Sequence, residues 1–138
     1  PTINLEWVQK IRRDVEERGH STEEISKMIL RRMPDYVNYI IPQFSRTHIN
    51  FQRVPLVDTS NPFIAKDIPT AEESMMVIRV ARPSAVPVDL PYVLSMVNGA
   101  WTSRPNTLVV PGHHAALAME LVLRPVVEGL VQRSRSNN

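Results

Sequence analysis

The spacing of the apolar residues changes once along this chain, and that change sets what the chain can fold into. Up to Pro42 they recur at helical spacing, and from His48 they alternate as strand residues do. A first helix is expected from Leu5 to Arg18, with Asn4 as N-cap and Gly19 as its stop. Ser21-Thr22-Glu23-Glu24 has the spacing of a capping box and should open a second helix. That helix turns Ile25, Met28 and Ile29 inward, is kinked or restarted at Pro34, and ends at Pro42. HINFQRV (48–54), SMMVIRVA (74–81) and NTLVVP (106–111) read as strands, and VDTSNPF (57–63) as an ordered loop of turn formers. Residues 83–91 read as irregular, YVLSMV (92–97) as a short helix, and WTSRPNT (101–107) as a loop entering the third strand. A last helix follows Gly112 and runs to about Arg133, bent at Pro125, with SRSNN as a frayed tail. Helices followed by strands make an α/β arrangement, and three strands make a thin sheet for so much apolar surface.

At 138 residues the chain is the size of one domain, expected to span 1–138. No apolar run nears the roughly 20 residues of a membrane span, and PTINLEWVQK does not read as a signal peptide. The absence of cysteine excludes disulfides and thiolate metal sites. A soluble, cytoplasmic protein is the expectation. The net charge of +2, without a contiguous basic stripe, argues against a nucleic-acid binder.

Thirteen of the sixteen basic residues are arginine, whose planar fork suits phosphate and carboxylate. Base composition of the genome could explain that bias as well, so position has to decide. The four glycines are scattered, and neither GxxxxGK[ST] nor GxGxxG can be written from them. The four histidines lack metal-ligand spacing, and there is no GxSxG. No metal site is expected. Chemistry must therefore rest on arginine, lysine and carboxylate.

The first helix, EWVQKIRRDVEERG, places Trp7, Val8, Ile11 and Val15 on one side and Lys10, Arg13, Asp14 and Glu17 on the other, with Arg18 at the edge. Asp14 is four residues from both Lys10 and Arg18, so one carboxylate can orient two cations while Arg13 meets an anion. A merely solvated face with weak ion pairs has the same spacing. Arg31 and Arg32 suit the negative end of the second helix, where a dipole role alone would account for them. Arg79 lies within an apolar strand, and Arg104 could converge with it at an edge, an interface or an anion site. Asp58 reads as a turn former rather than a base.

The blocks NLEWVQKIRRDVEERG, ILRRMPDYVNYIIPQF, NFQRVPLVDTSNPFIAKDIPTAEES and SMVNGAWTSRPNTLVVPG together resemble bacterial phosphoribulokinases of the proteobacterial type over nearly the whole chain. The resemblance implies the C-terminal half of such a kinase. In it, the chain is part of a mixed-sheet, P-loop kinase-like (adenylate-kinase-like) α/β fold without the N-terminal nucleotide-binding strands. The missing phosphate loop and the thin sheet then share one cause. Because PTINLEW resembles an internal strand-to-helix junction, a fragment is expected rather than a short natural protein. The alternative is a naturally short, non-catalytic sugar-phosphate or nucleotide-binding or assembly module.

The family reaction implied is ATP-dependent phosphorylation of ribulose 5-phosphate to the bisphosphate used in carbon fixation. This half alone is expected to be inactive, since the P-loop and base aspartate lie elsewhere. Lys10 matches the lysine that stabilises charge on the transferring group. Arg13, Asp14 and Arg18 match sugar-phosphate site residues, and Arg31 a position affecting substrate use. Arg32, Arg79 and Arg104 match arginines of the allosteric site, which NADH activates and AMP inhibits, at a subunit contact. His20 stands where an aromatic residue is expected. ATP and Mg2+ in the complete enzyme, NADH as activator, the N-terminal half as partner and a homo-oligomer are further implications.

Overall fold

The computed structural model describes residues 3–63 and 67–136. The element order is α1 (Ile3–Glu16), α2 (Thr22–Asp35), a π-turn (Tyr36–Ile40), α3 (Gln43–Arg46), β1 (Ile49–Pro55), β2 (Ser74–Val80), a 3-10 turn (Pro83–Ala85), α4 (Leu90–Met96), β3 (Trp101–Arg104), β4 (Thr107–Pro111), a second 3-10 turn (Gly112–His114) and α5 (Ala115–Ser136).

The expected helical hairpin is present, with different ends. Helix α1 begins at Ile3, so Asn4 lies inside it rather than capping it, and it ends at Glu16 rather than Arg18. Gly19, at φ +68°, donates its N–H to the Val15 carbonyl at 3.2 Å, closing the helix with a left-handed cap. Ser21 and Glu24 form the reciprocal capping box. Pro34 does not end α2. Having no N–H to give to the preceding turn, proline loosens the ladder, and the chain passes into a π-turn in which the Ile41 N–H reaches the Tyr36 carbonyl at 3.0 Å. The hairpin core consists of buried Ile11, Ile25 and Ile29, with Trp7, Met28 and Phe63 packed on it.

All strands pair antiparallel in the order β1-β2-β4-β3. WTSRPNT is thus not a loop, because Trp101–Arg104 pairs with β4 across a turn at Pro105 and Asn106. Four polar or bulky exposed residues without alternation gave no strand signal, and β3 exists through its partner. One sheet face carries the main core: Ile78, Val80, Leu108 and Val110 pack with Leu90, Val93 and Val97 around α4, and with Ala118 and Val122 of α5. Helix α4 starts two residues earlier than expected because Asp89 caps it, accepting from the Tyr92 N–H at 3.0 Å. Helix α5 continues to Ser136, so the expected frayed tail is helical as far as it is described, and Asn137 and Asn138 lie outside the described residues. Ile64, Ala65 and Lys66 of the family-like block also lie outside them.

The long β1–β2 connection is fastened by Arg53. Its guanidinium donates to the Pro69 carbonyl at 2.6 Å, the Thr70 carbonyl at 3.1 Å and Ser74 Oγ at 3.1 Å. Gly112 lies against the same segment, where a Cβ would come within 2.2 Å of the Ala71 carbonyl oxygen.

Candidate functional site

Asp14 is the one buried charged side chain among the described residues, with 1% of its surface exposed. Its carboxylate pairs with Lys10 Nζ, with Arg13 Nε at 3.1 Å and with Arg18 Nη1 at 3.2 Å. The helix brings residues four apart onto one face, and the chain reversal at Gly19 closes around the same turn, the His20 N–H donating to the Asp14 carbonyl at 3.1 Å. The Lys10 hydrogen bond pulls the Asp14 carboxyl down to about 2; burial opposes this, and the Arg13 hydrogen bond adds to it. A carboxylate so acidic does not serve as a general base near neutrality, where a base needs a pKa close to the working pH. Its chemical use is to hold cations. Three cations on one carboxylate leave a local excess of two positive charges.

Lys10 and Arg13 open onto a cleft of about 490 Å³ between α1 and α2, whose far wall carries Arg32 and Tyr36. That is within the size range of small-molecule sites. Glu6 and Asp35 also line it, so its field is mixed at the rim. Burial raises the Tyr36 hydroxyl pKa, and Glu6 raises it further. Trp7 forms part of the wall and meets the Phe63 ring with centroids 6.2 Å apart, which ties the 57–63 loop to α1. That loop is built from turns as expected: Asp58 accepts from the Ser60 N–H at 2.8 Å and Asn61 from the Phe63 N–H at 3.1 Å. The Ser60 hydrogen bonds lower the Asp58 carboxyl.

Arg79 and Arg104 do converge. Both line a second hollow of about 340 Å³ on the sheet face opposite the core, with Asn50, Gln52, Val77, Ser103 and Thr107. Neither has a carboxylate within ion-pair distance among the described residues. The third member of the expected effector set, Arg32, is not with them; within this chain it faces Lys10 and Arg13. Arg31 is exposed on α2 and lines neither hollow, and Arg18 reaches the first site only through Asp14. Sequence reasoning missed Tyr36 and the exposed Trp101. Asn50 and Gln52 were implicit in the alternation of HINFQRV, opposite Ile49 and Phe51.

The comparisons with known proteins agree with one another. The chain is 58% identical over 135 residues to the chromosomal phosphoribulokinase of Cupriavidus necator, covering 98% of this chain and 46% of that protein. It is 59% identical over 133 residues to the phosphoribulokinase of Rhizobium meliloti, covering 96% and 45%. This chain belongs to the phosphoribulokinase family. Residues 1–60 match the Phosphoribulokinase / Uridine kinase family, a segment that holds the α1–α2 cleft. The solved phosphoribulokinase from Rhodobacter spheroides superposes with a TM-score of 0.88 at 56% identity, over 98% of this chain and 48% of that one. The chain thus spans about half the length of the phosphoribulokinases it matches. No described helix is long and apolar enough to cross a membrane.

Proposed function

We propose that this chain is the acceptor-binding and regulatory half, C-terminal in the complete protein, of a cytoplasmic, oligomeric kinase that phosphorylates ribulose 5-phosphate with ATP. The observation that carries the reading is the Asp14 cluster: a buried carboxylate fixing Lys10 and Arg13 at the mouth of a cleft. Phosphoryl transfer needs positioning and charge stabilisation more than covalent help from the protein. Lys10 supplies the cation for the transferring group, held in place before substrate arrives. Arg13 and Arg18 take the sugar phosphate, Asp14 orients all three cations, and Arg31 affects substrate use. Arg32 belongs with Arg79 and Arg104 in the effector set, met across a contact between subunits, and within one chain it lines the α1–α2 cleft.

Neither the scattered glycines nor any cluster of carboxylates and histidines among the described residues forms a cradle for ATP phosphates or Mg2+. Those groups fall to the remaining half of the kinase. Arg79 and Arg104 fit an anionic effector, for which NADH is proposed, at a contact between subunits.

Calorimetric titration with ribulose 5-phosphate tests the acceptor site. The chain should bind it without ATP-dependent turnover. Arg13→Ala and Arg18→Ala should each weaken binding by about 1.5–3 kcal/mol, the worth of a charge-assisted contact. Equal affinity in wild type and both variants would mean that this helical face is only solvated.

A further inference from the structure

The end of α3 and the end of β2 bring together basic side chains that belong to neither site described above. The β1–β2 ladder, in which Ile49 lies opposite Val80, runs one pair further, the Ala81 N–H donating to the His48 carbonyl at 2.7 Å. That bond lays Arg46, Thr47 and His48 beside Ala81 and Arg82. Both backbones are set locally. Thr47 closes α3, its N–H donating to the Gln43 carbonyl at 3.0 Å. Arg82 precedes Pro83, and a residue before proline is kept out of the helical region; it stands at φ −135° and ψ 87°.

Arg46, His48 and Arg82 line a hollow of about 290 Å³ with Ser45, Thr47 and Ala81. It shares no lining residue with the hollow of Arg79 and Arg104. Asn50, from the wall of that other hollow, joins the two rims: its amide accepts from the Thr47 hydroxyl and donates to the Phe44 carbonyl at 3.2 Å. Among the described residues, no carboxylate lies within ion-pair distance of Arg46, His48 or Arg82. The hydroxyl protons are already committed, that of Ser45 to the Pro42 carbonyl at 2.8 Å and that of Thr47 to Asn50. What the hollow offers is two guanidinium forks and an imidazole without a counter-charge.

Size and lining narrow the ligand. The volume lies just below the range of pockets for drug-sized molecules, so the ligand is compact. Ala81 is the sole apolar residue among the described lining, which leaves no floor for a nucleobase or a hydrocarbon chain. We infer that this hollow binds the phosphate of a compact phosphorylated metabolite without a base, bridged between Arg46 and Arg82. Guanidinium meets phosphate through paired N–H bonds, and an anion held by both arginines also offsets the repulsion between cations gathered at one rim. The inference does not depend on the assignment of Arg79 and Arg104.

The experiment follows the backbone amides of the full 138-residue chain by NMR while pyrophosphate is added. The amides of Thr47, His48 and Arg82 should shift and saturate, and should do so with the same midpoint in Arg79→Ala. Arg46→Ala and Arg82→Ala should each raise that midpoint about tenfold or more, the worth of a charge-assisted contact, and Arg82→Lys should recover part of the loss. Both arginines are exposed, and resonances elsewhere in the spectrum report whether each variant keeps its fold. Shifts that grow in proportion to concentration without saturating would reduce the hollow to a diffuse counter-ion cloud and overturn the inference. Loss of the shifts in Arg79→Ala would assign the anion to the neighbouring hollow and overturn it too. Unchanged midpoints in both Arg46→Ala and Arg82→Ala would do the same.

Discussion

The helical hairpin and the sheet each present arginines to an open cleft, and they position them by different physics. In the hairpin the positions depend on a charge: buried Asp14 holds Lys10, Arg13 and Arg18 through ion pairs on one helical face. In the sheet they depend on the backbone: Arg79 and Arg104 stand in one row because strand register and a bulge put them there, with no carboxylate in ion-pair distance among the described residues. A carboxylate partner fixes a cation and also dilutes its charge. Register fixes the arginine Cα and leaves the guanidinium undiluted for an anion. The hairpin arrangement suits a site where geometry must be set before reaction, and the sheet arrangement suits one that captures a ligand by charge.

The largest effect expected from breaking this contrast lies behind the sheet. Ile78 of β2 is fully buried in the core between the sheet and helices α4 and α5, so Ile78→Ala should cost about 3–5 kcal/mol in denaturant unfolding. The loss should hardly change with salt. A loss well below 1 kcal/mol would mean that the core does not hold the register.

The next effect concerns the hairpin and is electrostatic. The folded-state pKa of Asp14, about 2, lies below its ordinary 3.8. The folded protein therefore holds this proton less tightly than the unfolded chain, and the stabilisation is present in full above about pH 4. It is lost as pH falls from about 4 towards 2. Asp14→Asn should melt lower than wild type at pH 6, and the two melting curves should converge as pH approaches 2. A gap unchanged across that range would remove charge as the organising force.

The smallest effect is at the helix cap. Ser21→Ala removes one half of the capping box and should cost about 1 kcal/mol, seen as earlier amide exchange in α2 than in β2. Equal protection lost in both elements would show that hairpin and sheet unfold as one unit, and the contrast would then be one of chemistry only.

What could be read from the sequence follows the range of each interaction. The i,i+4 relation of Lys10, Asp14 and Arg18 was legible because helix geometry alone sets it, and so was the capping box at Ser21. Strands β1, β2 and β4 were legible through apolar runs or alternation. The burial of Asp14 was not, because it depends on what packs over α1. Strand β3 was missed because WTSR gains its extended form from pairing with β4, and a partner leaves no mark in the strand's own pattern. Arg32 is grouped with Arg79 and Arg104 by resemblance, and that it also lines the cleft of Lys10 within one chain was not legible, because it depends on how α2 packs on α1.

The sequence by itself determined a basic helical face, the absence of a phosphate loop and the family to which both belong. Tertiary structure alone decided which arginines share a cleft. Helical neighbours are fixed within a few residues along the chain, but a bulge at Ser103 that sets Arg104 opposite Thr107, in line with Arg79, has meaning only against the opposing strand.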